Sequence, residues 1–227
     1  MNMVQFKTCK ELENQLASQI AAKLELGIKK NGKAHLLVSG GTSPIGMFHL
    51  LSLKPIDWEH VTIGLVDERF VSKESDASNE RLVKENLMIN EAHKASFVSM
   101  IYSIENEIEN LAIANSYYKL FHHSVDVCVL GMGEDGHTAS LFPNDKASEL
   151  NLLSDSLDLV STLSPNNPHQ RISCSKTLIL NSDFIYVMLL GETKKVVLQQ
   201  AYAKKLPIAL FTEAENKVVE IYYSEKK

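Results

Sequence analysis

The stretch that most constrains this chain is an apolar run over residues 125–130, interrupted only by Asp126 and closed at once by Gly131-Met132-Gly133-Glu134-Asp135-Gly136-His137. A run so short and apolar on both faces reads as a strand covered from both sides, as parallel sheets flanked by helices require. The glycines at its end let the backbone turn sharply and leave amide N–H groups to face a ligand. His137 stands on that turn, held by backbone rather than by a flexible stem. Imidazole is the side chain best suited to moving protons near neutral pH.

Gly131, Gly133 and Gly136 also spell G-x-G-x-x-G, the mark of a dinucleotide loop, but the pattern alone is weak. A pyrophosphate turn should carry no negative charge, and its helix should run on. Here Glu134 and Asp135 occupy the turn, and Pro143 would break such a helix soon after its start. A plain turn with an incidental histidine remains open on this stretch alone.

Three more junctions repeat the arrangement. Residues 34–38 read as a short buried strand that runs into Ser39-Gly40-Gly41-Thr42-Ser43-Pro44. With Ser43 as cap and Pro44 as first helical residue, this loop leads into a helix N-terminus, a geometry that holds phosphate. A simple strand-to-helix connection has similar composition. Residues 61–66 form a strand ending in Asp67-Glu68-Arg69, either a solvated charge run or a ligand edge. Residues 184–190 end in Gly191-Glu192-Thr193-Lys194, with a helix predicted from there to Lys204. Lys194 opposes that helix's dipole unless an anion sits beside it.

Around these junctions, residues 4–8 read as an edge strand and Thr8 as the cap of a helix carrying Leu12, Leu16, Ile20, Leu24 and Ile28, ended by Asn31-Gly32. Ser78-Asn79-Glu80 opens another helix, and a third spans residues 104–121. Beyond Pro143 the pattern is mixed. Residues 157–163 and 172–180 read as shorter strands or loops, joined by a connector whose prolines stiffen it and which presents Arg171, and residues 218–223 read as a last strand. No repeat or long linker appears, so residues 1–227 are read as one domain. The fold class predicted is α/β: an open, mostly parallel Rossmann-like sheet flanked by helices, with a small β-rich appended region.

Composition narrows the partners. The 227 residues are 44% hydrophobic with net charge −5, enough for one sizeable core and unsuited to a broad nucleic-acid face. An anionic ligand must therefore meet a local positive cluster. Of 23 basic residues only Arg69, Arg81 and Arg171 are arginine, so each guanidinium invites a specific role. Cys9, Cys128 and Cys174 lack metal-site or redox spacing and read as reduced thiols. No apolar run is long enough for a membrane span and no secretion pattern opens the chain, so a cytoplasmic protein with no membrane or nucleic-acid partner is expected.

If these strands lie parallel in one sheet, the loops at Ser39, Asp67, Gly131 and Gly191 meet along one edge. Ser39-Gly40-Gly41-Thr42-x-Pro44, Asp67-Glu68-Arg69 with Ser78-Asn79, the block from Leu130 through Asp135-Gly136-His137-Thr138-Ala139-Ser140-Leu141-Phe142-Pro143, Pro168-x-x-Arg171-x-Ser173 and Gly191-x-x-Lys194 together resemble the 6-phosphogluconolactonase family. Ser173 stands where that family often has threonine, which keeps the hydroxyl. In the related glucosamine-6-phosphate deaminases the block after Gly-His continues Ile-Ala-Phe-Asn-Glu-Pro. This chain lacks that glutamate.

The resemblance implies hydrolysis of 6-phospho-D-glucono-1,5-lactone in the oxidative pentose phosphate pathway. It implies no metal or organic cofactor, and a monomer or small homo-oligomer acting on a small sugar-phosphate lactone. His137 is then the general base, Asp135 orients the imidazole or the sugar, and Arg69 serves the oxyanion or the phosphate. Ser39, Gly40, Gly41, Thr42, Arg171 and Lys194 are expected to hold phosphate, and Asp67, Gly131 and Gly133 to border the substrate. The deaminase reaction is the enzyme alternative. A sugar-phosphate sensor is the other, and it would need a DNA-reading helix pair for which the acidic N-terminal segment offers no candidate.

Overall fold

The structure is a computed structural model and describes residues 2–214 and 217–225. In chain order its strands are β1 (Asn2–Phe6), β2 (Ala34–Val38), β3 (Val61–Leu65), β4 (Asp67–Arg69), β5 (Ser96–Val98), β6 (Val125–Leu130), β7 (Val160–Leu163), β8 (Gln170–Ser173), β9 (Ser182–Leu190) and β10 (Val218–Ser224). The helices are α1 (Cys9–Asn31), α2 (Ile45–Ser52), α3 (Asn79–Asn86), α4 (Glu107–Tyr118), α5 (Lys146–Leu153), α6 (Lys176–Leu180), α7 (Glu192–Gln199) and α8 (Ala209–Thr212).

Seven strands form one sheet in the order β1-β10-β9-β6-β2-β3-β5, with every neighbouring pair parallel. β2 and β6 are buried along their whole length, as their mostly apolar character demands, and the one carboxylate, Asp126, is met by the His35 amide at 2.7 Å. A separate antiparallel sheet, β4-β8-β7, supplies the small β-rich region. The α/β expectation, with its Rossmann-like parallel sheet, is met. The chain runs outward from β2 through β3 to β5 on one side, while β6, β9 and β10 lie on the other. Order therefore reverses between β2 and β6, and a crevice opens at the carboxyl end of such a switch point.

Helix α1 shows how the sequence builds this layer. The Thr8 side chain accepts from the Glu11 amide at its start, and Gly32 closes it at φ 75°. Leu12, Leu16, Ile20 and Leu24 are fully buried beneath it. Burying each contributes about 1.5–3 kcal/mol, so Leu16→Ala should cost about 2–5 kcal/mol once the cavity is counted. The buried Tyr118 hydroxyl of α4 accepts from the Leu65 amide and donates to the Leu65 carbonyl, fixing the end of β3 just before the charged turn.

Several local expectations need correction. Ser43 does not cap α2; the chain stays in a turn through Ser43 and Pro44, and the helix starts at Ile45 with no side-chain cap. The edge strand is Asn2–Phe6 rather than 4–8, since Thr8 is already engaged as a cap. Residues 172–180 split into the end of β8 and α6, because Ser175 accepts from the Leu178 amide and starts a helix. The helix after Gly191 stops at Gln199, not Lys204. Asp67-Glu68-Arg69 is no solvated run: it is strand β4, with Glu68 fully buried.

Candidate active site

The loops that follow β2, β3, β6 and β9, four adjacent strands, surround a cavity of about 320 Å³. Its lining includes Ser39, Gly40, Gly41, Thr42, Asp67, Arg69, Gly131, Gly133, His137 and Lys194. That volume lies at the small end of ligand pockets and suits one sugar phosphate.

The loop after β6 is closed on itself. The Gly133 amide donates to the His137 carbonyl (2.9 Å) and the Gly136 amide to the Gly133 carbonyl (3.1 Å). Thr138 Oγ1 donates to the Gly131 carbonyl (2.8 Å). Within this frame His137 Nδ1 lies 2.5 Å from Asp135 Oδ1, which also accepts the His137 amide at 3.1 Å. A carboxylate only accepts, so in the neutral ring the proton resides on Nδ1 and Nε2 carries the lone pair, and that ring borders the cavity. Partial burial alone would raise the Asp135 carboxyl, but the His137 hydrogen bonds and charge outweigh it, and Asp135 sits below its ordinary value. Phe142 props the ring from one side, with centroids 4.7 Å apart. A Cβ on Gly133 would overlap both the imidazole and the Asp135 carboxylate, so this glycine makes room for the pair. Asp135 is not among the cavity-lining residues; it stands behind the imidazole.

The loop after β2 is built differently. Ser39 Oγ donates to the Val129 carbonyl (3.0 Å) and accepts from the Gly131 amide (3.1 Å), so the hydroxyl staples the two loops across the switch point. The amides of Gly40, Gly41, Thr42 and Ser43 donate to no acceptor among the described residues. Gly41 adopts φ 82°, which turns the loop at little cost only for glycine.

The third wall comes from β4 and the start of α3. Arg69 Nη1 donates to the Ala77 carbonyl (2.7 Å) and Asn79 Oδ1 (2.8 Å), and Asn79 Nδ2 donates to the Asp67 carbonyl (2.9 Å). Beneath them Glu68 accepts from the amides of Arg69, Asn79 and Glu80, each at 2.7 Å, and from Ser78 Oγ at 3.0 Å. Burial pushes its carboxyl up to about 7, against the pull of those four donors. The result is a guanidinium whose position is dictated from below. Asp67 Oδ2 accepts from Ser140 Oγ at 2.6 Å, tying this wall to the His137 loop.

Lys194 in the first turn of α7 lines the cavity. Arg171 does not line it. It pairs with Arg69 across β4 and β8, lies buried, and its Nη1 donates to the Pro168 carbonyl. Burial, then the neighbouring Arg69 charge, holds its pKa below the ordinary arginine value. Asp67 and Glu68 act on it in the opposite direction. Asn79 and Phe142 stand within the motifs that carry the family resemblance, but the sequence assigns them no role in the site, and Met188 lies outside those motifs. Met188 borders the cavity from within an apolar strand, where nothing in its residue type marks it.

The chain is similar to known proteins along most of its length. A 6-phosphogluconolactonase from Neisseria meningitidis serogroup A is 36% identical over 228 residues, covering 97% of this chain and 98% of that protein. One from Pseudomonas putida is 37% identical over 212 residues, covering 89% and 85%. The crystal structure of a 6-phosphogluconolactonase from Shewanella baltica superposes with a TM-score of 0.94 at 41% identity, covering 99% of this chain and 97% of that one. Residues 7–220 match the family described as glucosamine-6-phosphate isomerases/6-phosphogluconolactonase. With the match running from before α1 into β10 and enclosing every wall of the cavity, the chain belongs to the glucosamine-6-phosphate isomerase/6-phosphogluconolactonase family.

Proposed function

We propose that this chain hydrolyses 6-phospho-D-glucono-1,5-lactone to 6-phosphogluconate in the pentose phosphate pathway, with His137 as general base. The observation that carries the reading is the His137–Asp135 contact, which leaves Nε2 basic on a ring lining a cavity bordered elsewhere by unengaged amides and a lysine. Nε2 takes a proton from water as the water oxygen bonds to the lactone carbonyl carbon. The tetrahedral oxyanion then collapses, the ring C–O bond breaks, and the imidazolium returns its proton to the departing ring oxygen. General-base help of this kind contributes about 10²- to 10⁴-fold.

Arg69, held rigidly by Ala77 and Asn79, suits a fixed donor to the oxyanion better than a mobile phosphate tether. The amides of Gly40, Gly41 and Thr42 with Lys194 hold the phosphate. Arg171 joins them by turning from the Pro168 carbonyl. Ser39 acts through its staple rather than as a phosphate ligand, and Asp67 accepts a sugar hydroxyl while Ser140 steadies it.

One feature favours the lactonase over the deaminase. Phe142 stands at the block position of the deaminase glutamate and places a ring, not a carboxylate, against the imidazole. The three cysteines are free, in keeping with a reducing cytoplasm. Among the described residues no helix is long and apolar enough to cross a membrane. An assay with fresh lactone, corrected for spontaneous opening, should give enzyme-dependent 6-phosphogluconate, and glucosamine 6-phosphate should yield no ammonia. Ammonia release without lactone hydrolysis would overturn the reading.

A further inference from the structure

Most glycines around the cavity are explained by the chain itself. A Cβ on Gly40 would overlap Asn79, and one on Gly133 would overlap His137. Gly41 and Gly136 adopt φ 82° and 81°, where a side chain is strained. Gly131 is different. Its φ lies outside the left-handed region and a Cβ there would meet no atom within 4 Å, yet it lines the cavity. Neither backbone nor packing requires a glycine at this position, and the space its side chain would fill is open.

Its place in the fold says what that space is for. The Gly131 amide is fixed to Ser39 Oγ, at the root of the loop with unengaged amides, and two residues later Gly133 lies against the imidazole. Through these two contacts Gly131 joins the loop of the Gly40–Thr42 amides to the loop of His137 on the wall of one cavity. We propose that Gly131 is a specificity-determining residue: the ring of the phosphorylated lactone lies against its bare Cα, and this contact sets the depth at which the carbonyl meets His137. The inference rests on the lactonase reading and adds to it the face on which the sugar ring is received. A methyl group here would lift the ring by about 1 Å, a displacement that costs on the order of 10²-fold in rate. The phosphate end, held by the other loop and Lys194, would be untouched.

The test compares wild type, Gly131→Ala, Gly131→Val and His137→Ala. Gly131→Ala is expected to keep the wild-type melting temperature and affinity for inorganic phosphate. Its kcat/KM on the lactone should fall about 10²-fold, with weaker binding of 6-phosphogluconate, and Gly131→Val should lose more. Wild-type kinetics in Gly131→Ala would overturn the proposal while an inactive His137→Ala left the lactonase mechanism standing. A lowered melting temperature would also overturn it, since the glycine would then serve the fold. So would an equal loss of inorganic phosphate and 6-phosphogluconate. If His137→Ala turns over like wild type, the mechanism falls and this inference with it.

Discussion

The two glycine loops that flank the switch point, one after β2 and one after β6, have similar composition and opposite construction. In the loop after β6 the amides of Gly131, Gly133, Gly136 and His137 are engaged within the protein while, among the described residues, those of Met132 and Glu134 are not, and what the loop presents is a side chain, the His137 imidazole. In the loop after β2 the side chain of Ser39 is engaged, and what is left over is backbone: the amides of Gly40, Gly41, Thr42 and Ser43. A backbone tied to itself holds one proton-transferring group in one place, whereas unpaired amides wait for an anion. Glycine is shared because both loops turn sharply. The hydrogen-bond inventory, not the residue type, separates a reacting loop from a binding loop.

Substitutions can break that division or sharpen it. The largest effect is expected for His137→Ala, which should lower kcat by about 10²- to 10⁴-fold in a lactone assay while leaving phosphate affinity near wild type. Asp135→Asn keeps the shape but lets the imidazole take the other tautomer; kcat should fall by about 10²-fold with KM little changed. Lys194→Ala touches the binding side, so KM should rise by about 10- to 100-fold at nearly constant kcat, as loss of a charge-assisted contact implies. Arg171→Ala should raise KM less, and a fall in kcat alone would move that residue to the chemistry.

The smallest effect is on stability. Glu68→Gln sets an amide NH₂ among amide donors and should cost about 1–2 kcal/mol in urea unfolding. Because Glu68 is raised from 4.5 to about 7, the native state holds its proton more tightly than the unfolded chain between those values. Wild-type stability should therefore decline as pH rises through that window, and Glu68→Gln should lose this dependence.

How much of the molecule was legible in the sequence depends on how local each feature is. β2, β6 and β9 are legible because strands buried on both faces are mostly apolar, each with few polar residues, and the cap and stop of α1 lie within a few residues of what they cap. β5 is not: it is a three-residue edge strand with only half-buried Phe97 and Val98 to mark it. In the site, His137 and Asp135 are two residues apart and their pairing was within reach of the motif. The engagement of Ser39 Oγ was not, since its partner Gly131 is 92 residues away. Nor could Asp67-Glu68-Arg69 reveal that its central carboxylate would be the buried anchor of α3, because the donors arrive from a turn formed only in the fold. The motif around Arg171 implies a phosphate ligand but says nothing of the Pro168 carbonyl that its guanidinium meets in the fold.

The mechanism stands on Nε2 of His137 being the unprotonated nitrogen, kept so by Asp135 on Nδ1. Nitrogen-15 NMR of the labelled protein, at a pH where the imidazole is neutral, reads this tautomer directly. The predicted spectrum shows the proton on Nδ1 in wild type and a shift toward the other tautomer in Asp135→Asn. A wild-type ring protonated on Nε2 would contradict the mechanism, because the nitrogen assigned to receive the proton of water would already carry one.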